Sequence, residues 1–281
     1  MTSTVAIINW NSGRWLRPCV ESLLATTTTV EILVIDNAST DSSLESVEGF
    51  RNRIDLVQNS VNRGFAAAVN QAFQATSTPY VLILNPDVRA IPGAVQVLEE
   101  FLEAHPKAGA IGGNVGEKYL PKKLPTISSL IRENLVGSEA RPPQPPEAAA
   151  LFLHVEQTAA AALMIRRDAY EDVGGFDERF YPAWYEDVDF CQQLKAHGWE
   201  IYFAPQAEFP HEGGYSAEAM GSAEFLASYY RNQLRYVRKH FGALGRTAVR
   251  ASIAAGALGR MIVKPKHAAA YRKVFLGVLK G

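Results

Sequence analysis

Short, continuously apolar runs alternate along the chain with stretches whose apolar residues recur at helical spacing. "STVAIINW" (3–10) is apolar enough to be covered on both faces and predicts a strand. In "SGRWLRPCVESLLATT" (12–27) Trp15, Leu16, Val20, Leu23 and Leu24 share one helical face. The alternation continues through a strand at 30–39, a short helix in "DSSLESVEGF" and a strand at 53–60. A helix at 62–76 opened by a glycine turn, the strand "YVLIL", a helix at 91–106 and a strand at 108–115 follow. Strands separated by helices of this length predict an α/β fold with a mainly parallel central sheet.

Regularity lapses at 116–152, which carries six prolines and mixed charges and predicts a mobile excursion over the active face. Order resumes with a strand and short helix over 155–176, then a helix, a turn at Gly198 and a strand over 185–209. "SAEFLASYYRNQLRYVRKHFG" and "RTAVRASIAAGALGRMI" are helical by spacing. No internal repeat or low-complexity tract interrupts the pattern.

Composition narrows the function classes. A 281-residue chain with 47% hydrophobic and 20% charged residues is an ordinary globular protein. Cys19 and Cys191 stand far apart without CxxC spacing, so neither a disulfide framework nor a cysteine-zinc site is expected. A reducing, cytoplasmic setting follows as the default. "MTSTVAIINWNS" enters the first strand with no visible leader, and no apolar run reaches the length of a membrane span.

The net charge of −1 conceals a split, because the last acidic residue is Glu224 and twelve Lys and Arg follow it. A basic tail on an acidic body implies an anionic partner, a membrane surface or nucleic acid, or else docking of the tail on the body itself. No recognised nucleic-acid motif accompanies it.

The chemistry sits at strand ends. Ligands of open α/β sheets bind beyond the carboxyl ends of the strands, where Asp36-Asn37 and Asn85-Pro86-Asp87 are expected. An ionised Asp36 can accept from an imide N–H or from ribose hydroxyls, although "DNASTDSS" is equally a capping and turn sequence. Asp87 suits a hard divalent cation that shares its coordination with phosphates; Asn-Pro-Asp is also a good turn. "WYEDVDF" (184–190) gathers Glu186, Asp187 and Asp189 at a helix start, where carboxylates are favoured and a general base would be well placed. His211, on a loop after a strand, becomes a metal ligand only if the fold carries it to Asp87. No GxGxxG or GxxxxGK[ST] turn follows the first strand, which excludes a Rossmann fingerprint and a P-loop.

Taken in order, "VAIINWNS", "ILVIDNASTDSS", "NRGFAAAVNQA", "LILNPDV", "GGFDERFYPAWYEDVDFCQQLKAHGW" and the trailing "H…GGYS" resemble the family 2 inverting glycosyltransferases of the GT-A fold, and most of all their rhamnosyltransferase branch. The resemblance spans roughly residues 4–242 and implies a metal-dependent transfer of a sugar, L-rhamnose from dTDP-rhamnose, to a glycan or lipid-diphosphate-linked acceptor of the cell envelope. A UDP-sugar transferase and a non-catalytic nucleotide-sugar-binding protein of the same fold are the alternatives. A nucleotidyltransferase would need a glycine-rich basic loop that "INWNSGRW" lacks.

In this resemblance Trp10, Asp36, Asn85 and Arg63 bind the nucleotide sugar, with Asn85 standing where the family's DxD motif has its first aspartate. Asp87 and His211 hold a divalent cation, Mn2+ or Mg2+. Asp187 is the catalytic base and Glu186 its neighbour toward the acceptor. The implied organisation is a catalytic domain over 1–215 and a basic helical extension over 216–281. The domain divides into a nucleotide-sugar half (1–115), a mobile region (116–154) and an acceptor half (155–215). Peripheral attachment to the inner membrane face is the expectation the basic tail adds; nucleic acid is not an expected partner.

Overall fold

The computed structural model describes residues 3–25, 30–137, 151–211 and 220–280. Eight strands form one sheet in the order β3-β2-β1-β4-β7-β5-β8-β6. β1 (Ser3–Asn9), β2 (Val30–Asp36), β3 (Asp55–Gln58) and β4 (Tyr80–Leu84) are parallel. β7 (Ala162–Arg166) runs antiparallel to both β4 and β5 (Ala108–Asn114). β8 (Glu200–Glu208) is parallel to β5, and the short β6 (Leu153–Val155) closes that edge antiparallel to β8.

The continuous apolar runs have the expected cause, since each central strand feeds two cores. Val5 and Ile7 of β1 pack on one face with Leu16, Cys19 and Val20 of α1 (Leu16–Leu24) and with α3 (Ala94–Ala104). Ala6 and Ile8 pack on the other face with α2 (Phe65–Ala75), α5 (Arg167–Val173) and α6 (Glu186–Ala196). β1 is flanked by β2 on one side and β4 on the other, which puts a topological switch point at their carboxyl ends. The segment expected as a helix over 41–50 contains a 3₁₀ helix at Glu45–Phe50.

Two expectations are corrected. The segment 116–152 is not structureless: it contains a 3₁₀ turn at Glu117–Tyr119 and α4 (Ile127–Val136). Thr126 and Ser129 form a reciprocal capping box that satisfies the first turn of α4, and Leu130 is buried against the C-terminal helices. Of the prolines, Pro121 and Pro125 precede the helix, while the other four fall in 138–150, outside the described residues.

Nor do the C-terminal helices form a separate extension. α7 (Ser222–Val263), broken at Gly242 (φ 71, ψ −169), and α8 (Ala268–Lys280) build a third core with α4. Phe180 and Tyr185, from the loop ahead of α6, are buried in that same core. Lys239 Nζ reaches Asp189 (2.8 Å) and Asp177 (3.1 Å), and His240 Nε2 reaches the other oxygen of Asp189 (2.7 Å). The first limb of the basic tail therefore docks on the acidic body.

Candidate functional site

β4 ends at Leu84, and the loop that follows is pinned to the end of β8. Val88 forms an antiparallel bridge with His211, the Arg89 N–H donates to the Pro210 carbonyl, and the Ile91 N–H donates to that of Glu208. This ladder carries His211 to Asp87: Nε2 lies 3.0 Å from Oδ1, and both side chains are buried. Tyr119 packs on the imidazole at 4.7 Å between ring centroids.

His211 Nδ1 is buried without a protein partner among the described residues. A buried imidazole with an orphaned nitrogen, beside a carboxylate, is a donor set incomplete in protein atoms alone. Two such ligands fit a hard divalent cation that takes its remaining oxygens from phosphates and water. Among the described residues no group of three His, Cys, Asp or Glu comes together.

The acidic pair at the start of α6 is joined to this loop through the start of β7. Asn85 N–H donates to the Ala161 carbonyl (3.0 Å), while the neighbouring Ala160 N–H is directed at the Asp187 carboxylate. One dipeptide thus links the tip of β4 to the proposed base. Asp187 is half-buried and also accepts from the Val188 N–H (2.8 Å). Burial pushes its carboxyl above the ordinary value, opposed by these N–H groups and by the nearby Lys122 charge. Glu186 is buried more deeply, with Oε2 unpartnered among the described residues. Burial first, and the Asp187 charge second, drive its carboxyl well above the usual range.

Asp189 belongs to a different task. It is fully buried and held by Lys239 and His240, which ties α6 to α7. The loop ahead of α6 is clamped from the same helix. Trp184 (φ 73) and Tyr185 (φ 74) are left-handed, a conformation that costs about 1–3 kcal/mol per residue and needs support from its surroundings. Asn232, fully buried on α7, supplies it: Nδ2 faces the carbonyls of Tyr181 (3.4 Å), Ala183 (2.8 Å) and Trp184 (3.1 Å). Gln233 adds a bond to the Tyr185 hydroxyl (2.8 Å). From the opposite side, Gly64 opens α2 against this loop, where a Cβ would lie 2.9 Å from Tyr181. Phe65 N–H donates to the Pro182 carbonyl (2.7 Å).

The residues expected to bind the nucleotide sugar lie at the ends of β1, β2 and β4 and ahead of α2. Asp36 is fully buried and its carboxylate accepts from Asn9 Nδ2 (2.7 Å), Ser39 Oγ (2.6 Å) and Ser39 N–H (3.1 Å). The small hydroxyl residues of "DNASTDSS" fold back over the strand end, so Asp36 anchors its loop. Trp10 follows β1 half-buried, Asn85 is half-buried at the tip of β4, and Arg63 is exposed with its N–H on Asn37 Oδ1 (3.0 Å). Asn232 and Lys122 are the neighbours of the site that motif reading passed over. Asn232 lies within a long helical stretch and Lys122 in the segment taken for a loop, and neither carries a local signature.

A family model described as glycosyl transferase family 2 matches residues 4–174. The chain belongs to this family. A second model, described as the N-terminal domain of galactosyltransferase, matches residues 148–212. The glycosyltransferase is 28% identical over 253 residues to N-acetylglucosaminyl-diphospho-decaprenol L-rhamnosyltransferase of Mycobacterium tuberculosis, with 81% of each chain covered. In fold it is similar to GalNAc-T7 solved with UDP, GalNAc and Mn2+ (TM-score 0.70, 16% identity), the match covering 100% of this chain and 56% of that one. It is also similar to the mannosyltransferase PcManGT of Pyrobaculum calidifontis solved with GDP-Man and Mn2+ (TM-score 0.58, 15% identity; 99% and 86% covered). At these identities the solved structures show the fold alone, and that fold is GT-A. Among the described residues no helix is long and apolar enough to cross a membrane.

Proposed function

We propose that this glycosyltransferase moves L-rhamnose from dTDP-rhamnose, with inversion, onto a hydroxyl of a lipid-diphosphate-linked glycan in cell-envelope polysaccharide synthesis. The observation that carries the reading is the bridge from Asn85 through Ala160–Ala161 to Asp187, with His211 brought to Asp87 beside it. The likeness to the mycobacterial rhamnosyltransferase over most of both chains favours this donor and a polyprenyl-linked acceptor over a UDP-sugar.

Asp87 and His211 would hold a divalent cation, Mn2+ or Mg2+, which when bound stabilises the charge that develops on the departing diphosphate. Asp187 takes the proton from the acceptor hydroxyl as that oxygen bonds to the anomeric carbon and the bond from that carbon to the diphosphate oxygen breaks. Burial raises the Asp187 carboxyl above the ordinary aspartate value, which makes it a stronger base than an exposed aspartate. Glu186, whose carboxyl burial drives well above the usual range, lines the acceptor side. Asp36 acts on the nucleotide indirectly, by fixing the 37–43 loop near Trp10, while Asn85 and Arg63 face the sugar-nucleotide.

The test is nucleotide diphosphate release by purified protein with Mn2+ from a panel of dTDP-rhamnose, UDP-glucose, UDP-galactofuranose, UDP-N-acetylglucosamine and GDP-mannose. Release from dTDP-rhamnose alone supports the reading. Release from a UDP-sugar alone keeps the mechanism and discards the sugar.

A further inference from the structure

The break at Gly242 folds α7 into a hairpin, and one residue of α4 touches both limbs. Asn134 Nδ2 donates to Gln233 Oε1 (2.9 Å) on the first limb and to Ser252 Oγ (3.1 Å) on the second. Glu133 repeats the pattern one level on. Its carboxylate accepts from Tyr229 (2.6 Å), and its carbonyl accepts from the Arg260 guanidinium (3.1 Å). Residues 229 and 260 therefore stand at the same height. Three residues beyond Arg260, the end of α7 has returned to the height of Phe225, which stands edge-on to Trp184 of the catalytic loop (4.6 Å between centroids). The turn into α8 thus lies at the active-site end of the helical layer, a placement that chain order does not suggest.

That end is apolar, exposed and basic together. Ile262 is 83% exposed, Val263 77% and, at the end of α4, Val136 79%; Leu258 and Leu135 are exposed beside them. The Arg260 bonds to the carbonyls of Glu133 and Asn134 hold the α4 end against the last turns of α7. Exposed Lys264 and Lys266 follow directly. The nearby carboxylates are engaged, Glu133 by Tyr229 and Glu224 by Lys273, and no acidic residue follows Glu224 in the chain.

Isolated exposed apolar residues need no explanation, but a cluster of them beside exposed lysines does. A bilayer needs only to accept apolar side chains at its interface and to present negative charge to the lysines.

We propose that this surface, formed by the α7–α8 turn and the end of α4, seats on an anionic lipid bilayer and holds the catalytic loop toward it. The inference rests on the transferase reading for its purpose, the delivery of a lipid-linked acceptor, and on the surface itself for its physics.

The experiment is co-sedimentation of the full chain with phosphatidylcholine vesicles, with and without phosphatidylglycerol. Ile262→Glu/Val263→Glu and Lys264→Gln/Lys266→Gln are run beside the wild type. The wild type should sediment with the anionic vesicles and be released by salt. The glutamate pair should abolish sedimentation, and the glutamine pair should weaken it by about fivefold per lysine, as about 1 kcal/mol for each charge requires. Thermal unfolding of both variants should match the wild type, because the altered side chains are exposed.

A wild type that stays in the supernatant, or a glutamate pair that sediments as the wild type does, overturns the proposal. Self-association in solution that the glutamate pair abolishes also overturns it and assigns the surface to a second copy of the chain. Vesicle binding needs no donor, so it fails independently of the sugar-transfer reading.

Discussion

Asp87 and His211, 124 residues apart in the chain, meet with Oδ1 and Nε2 3.0 Å from each other in a site from which solvent is almost excluded. Neither residue is diagnostic by itself. Their meeting depends on β8 running on past its last sheet pair to bridge Val88, so that two loops become a short antiparallel ladder at the crevice. Removing either ligand should weaken the site for a cation and leave the fold intact. We expect His211→Ala to lower Mn2+ affinity by about 10- to 100-fold, the usual scale for disturbing a metal site. Calorimetric titration of Mn2+ in the presence of dTDP measures it. Unchanged affinity would place the metal elsewhere.

The Asn232 clamp should show itself both in stability and in rate. Asn232→Ala leaves three loop carbonyls facing a buried space without a donor and should destabilise the protein by about 1–3 kcal/mol in denaturant unfolding. Because the same loop sets the start of α6, kcat should fall while donor KM stays within about twofold, as expected for a group that acts on transition-state geometry alone. A fall in stability without a fall in kcat would make Asn232 purely structural.

Much of this was readable beforehand, and the failures have physical causes. β1, β2, β4 and α2 announce themselves because a strand buried on both faces must be continuously apolar and a one-sided helix must not. The placement of Asn85 and Asp87 just past β4 and of Asp187 at the start of α6 was legible because strand ends and helix starts are where an α/β sheet exposes polar groups. α4 was missed because proline density on both flanks outweighed a ten-residue amphipathic run whose partner, α7, lies a hundred residues later. The contacts of Asp36 were not legible, because short-range pattern cannot show that Ser39 folds back onto its carboxylate. The break at Gly242 is legible, since the helical pattern divides into two segments there, but the reversal of direction is not: it depends on the glycine's positive φ and on contacts with a distant helix.

Asp177 should make the docking of α7 sensitive to acid. Burial alone would raise its carboxyl, but hydrogen bonds from Arg179 and Lys239 outweigh it and hold the group well below the usual range. The folded value lies below the unfolded one of about 3.9, so the stabilisation is present above that pH and is lost as pH falls toward the folded value. Lys239→Met should cost about 1.5–3 kcal/mol near neutrality, the scale of a hydrogen bond to a charged group. It should also flatten the dependence of unfolding free energy on pH over the acid range. An equal slope in wild type and variant would show that Lys239 does not set the Asp177 ionisation.

Gly113 tests how tightly the end of β8 must be held. A Cβ there would overlap the Phe209 ring, and Phe209 is two residues from His211. Overpacking of this kind costs about 1–3 kcal/mol. Gly113→Ala should therefore lower the melting temperature and, by displacing the ladder, raise the Mn2+ concentration needed for half-maximal turnover. A melting temperature equal to that of the wild type would show that the Phe209 ring moves aside freely.

The most direct measurement is sugar transfer by Asp187→Asn against the wild type, with dTDP-rhamnose affinity measured in parallel. If Asp187 is the base, transfer falls by about 10²- to 10⁴-fold while donor affinity stays within a few-fold, because proton removal is lost and the donor's contacts are kept. The wild-type acid limb of kcat should lie above the ordinary aspartate range, in line with the raised carboxyl. Transfer by Asp187→Asn within a few-fold of the wild type would contradict the assignment and move the base to another residue.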